Sequence, residues 1–288
     1  YTSGDFSAGL RFESYLNPIL GFDAQYKGVG IPYRYASYKK DYLEVTVGNY
    51  YEQFGNGLIF RSYEERNLGL DNAMDGLRIV AKPVSGVSIK GVIGKQRYYW
   101  EDIWKNNNGL IRGLDAEISL NDLITKLNAS ATRLTLGGSF VSVYEQANPK
   151  IITLDGDMYK MIIPENVGAM AVRFDFSHKA FFLSGEYAYK GQDLNAVNGY
   201  IYKPGNALLL KASYSVKGLG ISLEAKRIDN MSFKSKRSET GNMLNVNYLP
   251  AITRQHAYSL MAMYPYATQV NGEMGIQADI MYKIKKNT

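Results

Sequence analysis

Residues 272–284 read "GEMGIQADIMYKI", with Met274, Ile276, Ala278, Ile280, Tyr282 and Ile284 at alternate positions and Gln277, Asp279 and Lys283 between them. A period of two puts the first set on one face of an extended segment and the second on the other, so this stretch is a two-faced strand. The pattern recurs. "FLSGEYAYK" (182–190) separates Leu183, Gly185, Tyr187 and Tyr189 from Ser184, Glu186, Ala188 and Lys190. "GISLEAKRI" (220–228) sets Ile221, Leu223 and Ala225 against Ser222, Glu224 and Lys226, and "SAGLRFES" (7–14) sets Ala8, Leu10 and Phe12 against Arg11 and Glu13. Similar segments run over 33–39, 42–51, 76–82, 87–98, 110–120, 133–145, 167–177, 207–216 and 254–264, giving about thirteen strands with Phe6–Tyr15 as the first.

Composition agrees with this reading. The 288 residues hold 24 tyrosines, 28 glycines, eight prolines and two tryptophans, which suits pleated surfaces and turns rather than a helical bundle. No cysteine is present, so neither a disulfide framework nor a thiolate metal site exists. The formal charge of +6 comes from 33 basic residues scattered among 27 acidic ones, which argues against nucleic acid as a partner. No run of 18 apolar residues occurs, so no transmembrane helix is expected. A bilayer also admits closed barrels, whose strands are short and alternate.

The links between strands alternate in length. Short ones fall at 39–41, 82–86, 177–180 and 216–220, and long polar ones near 54–75, 99–109, 146–166, 191–206 and 229–253. An outer-membrane barrel shows this asymmetry between its periplasmic turns and its extracellular loops. The expected fold is therefore all-β: an antiparallel up-and-down transmembrane β-barrel of about fourteen strands, forming one domain over 1–288. Tyrosine clusters in "YRYASYKKDY" (33–42), "RYYW" (97–100) and "YPY" (264–266) read as interfacial girdles, or as ordinary half-buried sheet aromatics. Arg11, Glu13, Glu186, Lys190, Glu224, Lys226, Asp279 and Lys283 are expected on the lumen wall. The apolar faces, Tyr187, Tyr189, Ile276, Ile280 and Tyr282 among them, are expected to look outward to lipid.

The longest early link, "NYYEQFGNGLIFRSYEERN" (49–67), breaks its strand at Gly55, Asn56 and Gly57 and then gathers charge. Arg61, Glu64, Glu65, Arg66, Asp71 and Asp75 are expected to pair among themselves or with the wall, either as a selectivity loop or as a stabilising network that closes the rim. At "GNYYEQFGNGLIFRSYEERNLGLDNAMDGLRI" (48–79) the chain resembles a family of Bacteroidota outer-membrane β-barrel proteins of unknown function. The resemblance implies a barrel and an outer membrane, and brings no activity or catalytic residues.

Chemistry-bearing patterns are few, and no enzyme is expected. The two histidines, His178 in a turn and His256 at a strand start, lack a partner pattern, although His256 is the residue a surface hydrolase would use. Asp155 and Asp157 offer only two carboxylates where a calcium ion takes six or more oxygens, so no metal and no cofactor are expected. Pro204–Gly205 marks a turn. Three functions fit: passive passage of small hydrophilic solutes, a plugged structural or accessory barrel in a secretion, uptake or assembly complex, and a soluble carbohydrate-binding β domain. The first two imply membrane lipid, including a lipopolysaccharide leaflet, as a partner, and the second implies protein partners as well. Counting also suggests that the first and last strands both rise, which would make them parallel and the chain a portion of a longer protein.

Overall fold

A computed structural model describes residues 1–17, 22–66, 69–102, 109–147, 150–154, 157–252 and 268–283. In chain order its strands are Thr2–Ser3 (β1), Phe6–Tyr15 (β2), Gly28–Lys40 (β3), Leu43–Tyr50 (β4), Glu52–Gln53 (β5), Arg61–Ser62 (β6), Glu64–Glu65 (β7), Leu70–Asp71 (β8), Met74–Ala81 (β9), Val87–Gln96 (β10), Leu110–Ser119 (β11), Thr132–Tyr144 (β12), Lys150–Leu154 (β13), Asp157–Met161 (β14), Asn166–His178 (β15), Phe181–Lys190 (β16), Gly205–Val216 (β17), Leu219–Asp229 (β18) and Gly272–Tyr282 (β19). Thirteen form one antiparallel sheet, in the order β1, β2, β3, β4, β9, β10, β11, β12, β15, β16, β17, β18, β19. The remaining six make three small hairpins within the links.

Alternation along each strand assembles into rows across the sheet. One outward row runs Val45, Ile79, Gly91, Leu114, Phe140, Met170, Tyr189 through successive strand pairs. Another runs Ile118, Leu136, Phe174, Gly185, Leu210, Ala225, Ile276. Tyr187, Tyr189, Ile276, Ile280 and Tyr282 are exposed on this face, and among the described residues no second sheet packs on it. The opposite face is covered. Val92, Ile111, Val141, Val143, Val167, Ala169, Ala171, Ala188, Ala207, Leu209 and Ile228 are buried there beneath Phe54, Leu58, Ile59, Phe60, Met231, Phe233 and Val246, which all come from the links.

All strand pairs of the sheet are antiparallel, so β2 rises and β19 descends. This corrects the expectation that both rise. β18 pairs with β19 along its whole length, Leu219 with Tyr282 through Asp229 with Gly272, so no wall strand stands between them. The strand expected over 254–264, and Ile284, lie outside the described residues. Setting aside the two-residue β1 leaves twelve long strands.

Three other departures have physical causes. β3 begins at Gly28, five residues before its expected start, because Pro32 is tolerated at a bulge: Arg11 faces Tyr33 and Glu13 faces Gly30, so two residues of β3 oppose one of β2. Moreover, β3 pairs with β4 only from Tyr35 onward, and the missing N–H of Pro32 deprives no partner. β10 ends at Gln96 because Tyr98 to Trp100 turn away, with the Trp100 indole lying where Gly28 has no side chain and its Nε1 donating to Tyr26 O at 2.8 Å. At the short-link rim, residues 120–131 carry a helical turn (Leu120–Leu123) and a 3-10 turn (Thr125–Leu127) instead of a tight turn. Asn121 holds this link, donating to Leu127 O and Thr132 O and accepting from Leu134 N.

Gly48, Gly76 and Gly94 form a row across β4, β9 and β10. A Cβ on Gly76 would lie 2.1 Å from Ile93 O, whereas one on Gly91 meets nothing within 4 Å. Gly76→Val is therefore expected to cost about 2–3 kcal/mol through forced backbone displacement, while Gly91→Val, in an outward apolar row, is expected to be neutral. Urea unfolding midpoints of the two variants check the contrast; equal losses would show that the glycine row is not a steric requirement.

Candidate functional site

The interior is built from two links. Residues 51–73 leave β4, form the β5–β6 and β7–β8 hairpins, and place between β5 and β6 a tight turn in which Gly57 N donates to Phe54 O at 2.8 Å. Residues 231–248 fold back on themselves, Val246 N donating to Phe233 O at 2.9 Å, and dock against the first link through Arg61 N to Val246 O at 2.8 Å and Tyr248 N to Gly57 O at 2.9 Å. Together they make an apolar wedge. Phe54, Leu58, Ile59 and Phe60 are each 0% exposed, seated on the alanine and valine positions of the wall.

The tip of the wedge reaches a distant strand. Glu186 on β16 accepts from Asn56 N at 2.7 Å and Asn56 Nδ2 at 2.8 Å, both on Oε2, and is 1% exposed. Four strands stand between β9 and β16 in the sheet, so the turn spans the interior. Only glycine fits at position 55: its φ is +52°, and a Cβ would lie 2.6 Å from the Glu186 carboxylate.

Charged groups surround the wedge in separate networks. In the first, Arg11 binds Glu13 at 2.7 Å, Glu64 at 2.9 Å and Asp71 at 2.7 Å, and Arg97 binds Asp71 at 2.6 Å and Glu13 at 2.9 Å. Arg66 joins through Glu64 at 3.1 Å, and Tyr51 OH donates to Asp71 at 3.0 Å. Glu13, Glu64, Arg66, Asp71 and Arg97 line a cavity of about 470 Å³ together with Tyr15, Phe22 and Tyr26. Glu13, Glu64 and Asp71 bring carboxylate oxygens within 4.8 Å of one another, a spacing a metal ion could use. The donor chemistry does not fit one, because Arg11, Arg66 and Arg97 already pair with all three.

In the second network, Glu52 receives Arg78 at 2.7 Å and Lys90 at 2.8 Å, and Arg78 also pairs with Glu44. Burial pushes the Glu52 carboxyl up, but Lys90, the Gln53 N–H and Arg78 outweigh it and leave the group below the usual carboxylate range. In the third, Arg173 binds Asp115 at 2.7 Å and Glu117 at 3.1 Å, with Ser139 donating to Asp115.

The expected site residues fall into three groups. Arg11, Glu13, Glu64, Arg66 and Asp71 meet in one network, and Asp75 pairs apart from them with Arg34 at 3.1 Å. Glu186, Lys190 and Lys226 face inward and are buried. Lys190 Nζ reaches Asp193 at 3.2 Å and Ser232 O at 2.6 Å, and Lys226 Nζ reaches Pro250 O and Thr268 at 3.1 Å each beside Glu273. The rest are peripheral: Glu224 meets Lys211 at 3.4 Å, Asp279 accepts from Gln277 at 2.8 Å, Glu65 lies in β7 opposite Leu70, and Lys283 is exposed beyond the end of β19. Arg61 makes no ion pair among the described residues; its guanidinium packs 4.1 Å from the Tyr63 and Tyr248 ring centroids, contrary to the pairing expected. His178 Nδ1 bonds Thr132 Oγ1 at 2.7 Å at the short-link rim, Asp157 is exposed on β14, and Asp155 and His256 lie outside the described residues.

Sequence reading missed Arg97, Glu52, Arg78, Lys90, Asp115, Arg173 and the whole of 231–248. Lys90, Asp115 and Arg173 were accessible from strand parity. Arg97 sits just beyond its strand end, where parity gives no instruction.

These features define a class: an antiparallel up-and-down sheet with an exposed apolar face and an inner face filled by its own links. The chain belongs to DUF6029, a family of unknown function, whose model matches residues 1–288. A comparison with curated proteins found no match. Among solved structures it is similar to the outer-membrane expressed OmpT of Vibrio cholerae, at 9% identity over 69% of this chain and 59% of that one, with a TM-score of 0.40. It is also similar to the NanC porin, at 11% identity over 85% and 96% with a TM-score of 0.32, and to the outer membrane protein opdK of Pseudomonas aeruginosa, at 10% over 83% and 76% with 0.36. The chain thus spans 59% of the length of OmpT. Scores this low carry no functional weight.

Lys234, in the second link, donates to Gly241 O and Asn245 Oδ1 at 2.6 Å and to Met243 O at 3.2 Å, and burial lowers its pKa to about 8. The unfolded chain holds this proton up to the ordinary value of 10.5, so stability is expected to rise between about pH 8 and 10.5, where only the unfolded chain still binds it. Thermal unfolding midpoints over that range, compared with Lys234→Met, check the sign: the variant should lose the rise.

Proposed function

We propose that this chain is an integral outer-membrane β-barrel closed by its own interior links, serving a structural or accessory role rather than passive solute flow. Two features support the barrel. The exposed apolar rows cross seven strands each, far beyond the isolated apolar side chains of a soluble surface, which counts against the soluble carbohydrate-binding alternative. The long strands nearest the two ends of the ladder, β2 and β19, run antiparallel and keep their apolar residues on the outward face, with Leu10 and Ile276 each 72% exposed. Pairing them would satisfy the edge groups, as a bilayer requires, in a wall of twelve long strands. Long links then face outside and short ones the periplasm.

The wedge carries the functional reading. A porin lumen is polar and water-filled, whereas here four apolar side chains at 0% exposure fill the interior from the 51–73 link and are tied to the far wall through Glu186. Passive passage would require the wedge to leave. A closed barrel presents its long-link rim to protein partners in the outer membrane.

Planar-bilayer recording on purified protein tests the proposal. Wild type is expected to be silent, and both the Phe54→Ser/Phe60→Ser double variant and Glu186→Leu are expected to show discrete openings; steps in wild type would instead favour a channel. Membrane embedding is tested separately. Phe140→Arg, in the middle of an outward row, is expected to cost about 2–4 kcal/mol of folding stability in lipid vesicles by urea titration. A cost near zero would place that face in water.

A further inference from the structure

A cavity of about 900 Å³ opens among the long links, a volume inside the range of roughly 300–1,000 Å³ usual for small-molecule sites. Its floor is the wedge. Asn247 and Tyr248 line it from the second link and stand on the first: Asn247 Nδ2 donates to Leu58 O at 3.2 Å as well as to Met231 O at 2.8 Å, and Tyr248 N donates to Gly57 O at 2.9 Å.

The charged groups that line this cavity are already paired. Asp23 accepts from Tyr99 OH and Gln25 N, Glu239 accepts from Tyr98 OH and Gly241 N, and Lys234 donates to Gly241 O, Met243 O and Asn245 Oδ1. The groups left over are neutral. Asn247 is 9% exposed, and the two carbonyls that its Nδ2 meets fix the orientation of its amide. Its Oδ1 accepts from no described residue, and it is not sealed by protein, so it faces the cavity that Asn247 lines. Tyr63, Thr240, Asn242 and Tyr248 line the same space, and their hydroxyl and amide groups make no hydrogen bond among the described residues.

The chemistry of these leftover groups selects a ligand class. An ion entering the cavity would meet no free counter-charge, and burying a charge without one is costly. A wholly apolar ligand would leave the Asn247 oxygen and the hydroxyls unmatched. A hydroxyl both donates and accepts, so a ligand rich in hydroxyls serves the lone acceptor of Asn247 and the tyrosine and threonine hydroxyls alike. Apolar C–H faces on the same ligand can lie against tyrosine rings. We propose that this cavity binds a sugar, a neutral hydroxyl-rich ring seated on Asn247 and flanked by the Tyr63 and Tyr248 hydroxyls. The bound ring would stand on the residue that holds Leu58 O and so brace the wedge from the long-link side. The site is independent of whether the barrel conducts, and the closed-barrel reading would stand without it.

The test is isothermal titration calorimetry of the full chain in an amine-oxide detergent, which has no sugar headgroup to compete. The probes are maltose, N,N′-diacetylchitobiose and, as a charged probe, inorganic phosphate. Wild type is expected to bind at least one of the disaccharides saturably, with a Kd on the order of 1 mM or tighter, and phosphate more weakly. The triple variant Tyr63→Phe/Tyr248→Phe/Asn242→Ala removes no side-chain hydrogen bond seen in the folded chain. It is expected to keep its thermal midpoint and to weaken sugar binding by about tenfold or more, as loss of a few neutral hydrogen bonds does. Tyr35→Phe, in a different cavity on the inner wall, is expected to leave binding unchanged. Saturable binding of neither disaccharide by wild type overturns the proposal, as does phosphate bound more tightly than both, or wild-type affinity in the triple variant. If the triple variant does not fold, Asn242→Ala alone, at an exposed position, decides: a several-fold loss is expected, and wild-type affinity overturns the proposal.

Discussion

The carboxylate of Glu186 organises the interior. Burying an ionised carboxylate is costly unless N–H groups face it, and Asn56 supplies two, from a turn that only glycine at position 55 allows to come so close. Because that turn starts from the β4–β9 link and ends on β16, meeting one oxygen of this group draws a loop across the inner face. Once there, the loop brings Phe54 and Phe60 against wall positions occupied by alanine and valine, small enough to receive them. Hence the inner face, which would be a polar lumen in an open barrel, becomes an apolar core in its upper part. The ion networks take the remaining polar space between wedge and wall.

Those networks divide the work by side-chain chemistry. Arginines 11, 78, 97 and 173 bridge two or three carboxylates each, as a planar fork with five donors can. Buried lysines instead cap backbone carbonyls: Lys190 on Ser232 O, Lys226 on Pro250 O, Lys234 on Gly241 and Met243. A compact ammonium suits convergent carbonyls at the ends of links: Lys190 and Lys226 fix links to the wall strands that carry them, and Lys234 fixes the second link to itself.

The wall was legible in the sequence because its signal is local. "GEMGIQADIMYKI" and "FLSGEYAYK" announce their faces through a period of two, and the inward placement of Glu186, Lys190 and Lys226 follows from the same parity. The start of β3 lay beyond what alternation shows, since a bulge and an absent neighbour are tertiary facts that no propensity records. The direction of the last strand was misread for a related reason: residues 254–264 alternate like a strand, but β18 takes β19 as its neighbour. The charged loop at 61–75 was recognisable as a network, yet the fate of Arg61 was not, because its partners Tyr63 and Tyr248 come from two different links. The second link, 231–248, carries no periodicity at all; its order comes from docking on the first.

That docking has a bearing on how the molecule assembles. Arg61 meets Val246, and Gly57 meets Tyr248, only after nearly the whole wall has been made between them. Contacts of such long sequence separation form late, because the entropy of closing the intervening chain must be met before they return anything. The strands, each paired with the next in sequence, can zip from neighbour to neighbour without that delay. The wall would therefore complete first and its contents settle afterwards, and the small wall residues Ala169, Ala171, Ala188 and Ala207 keep room for an occupant that arrives last.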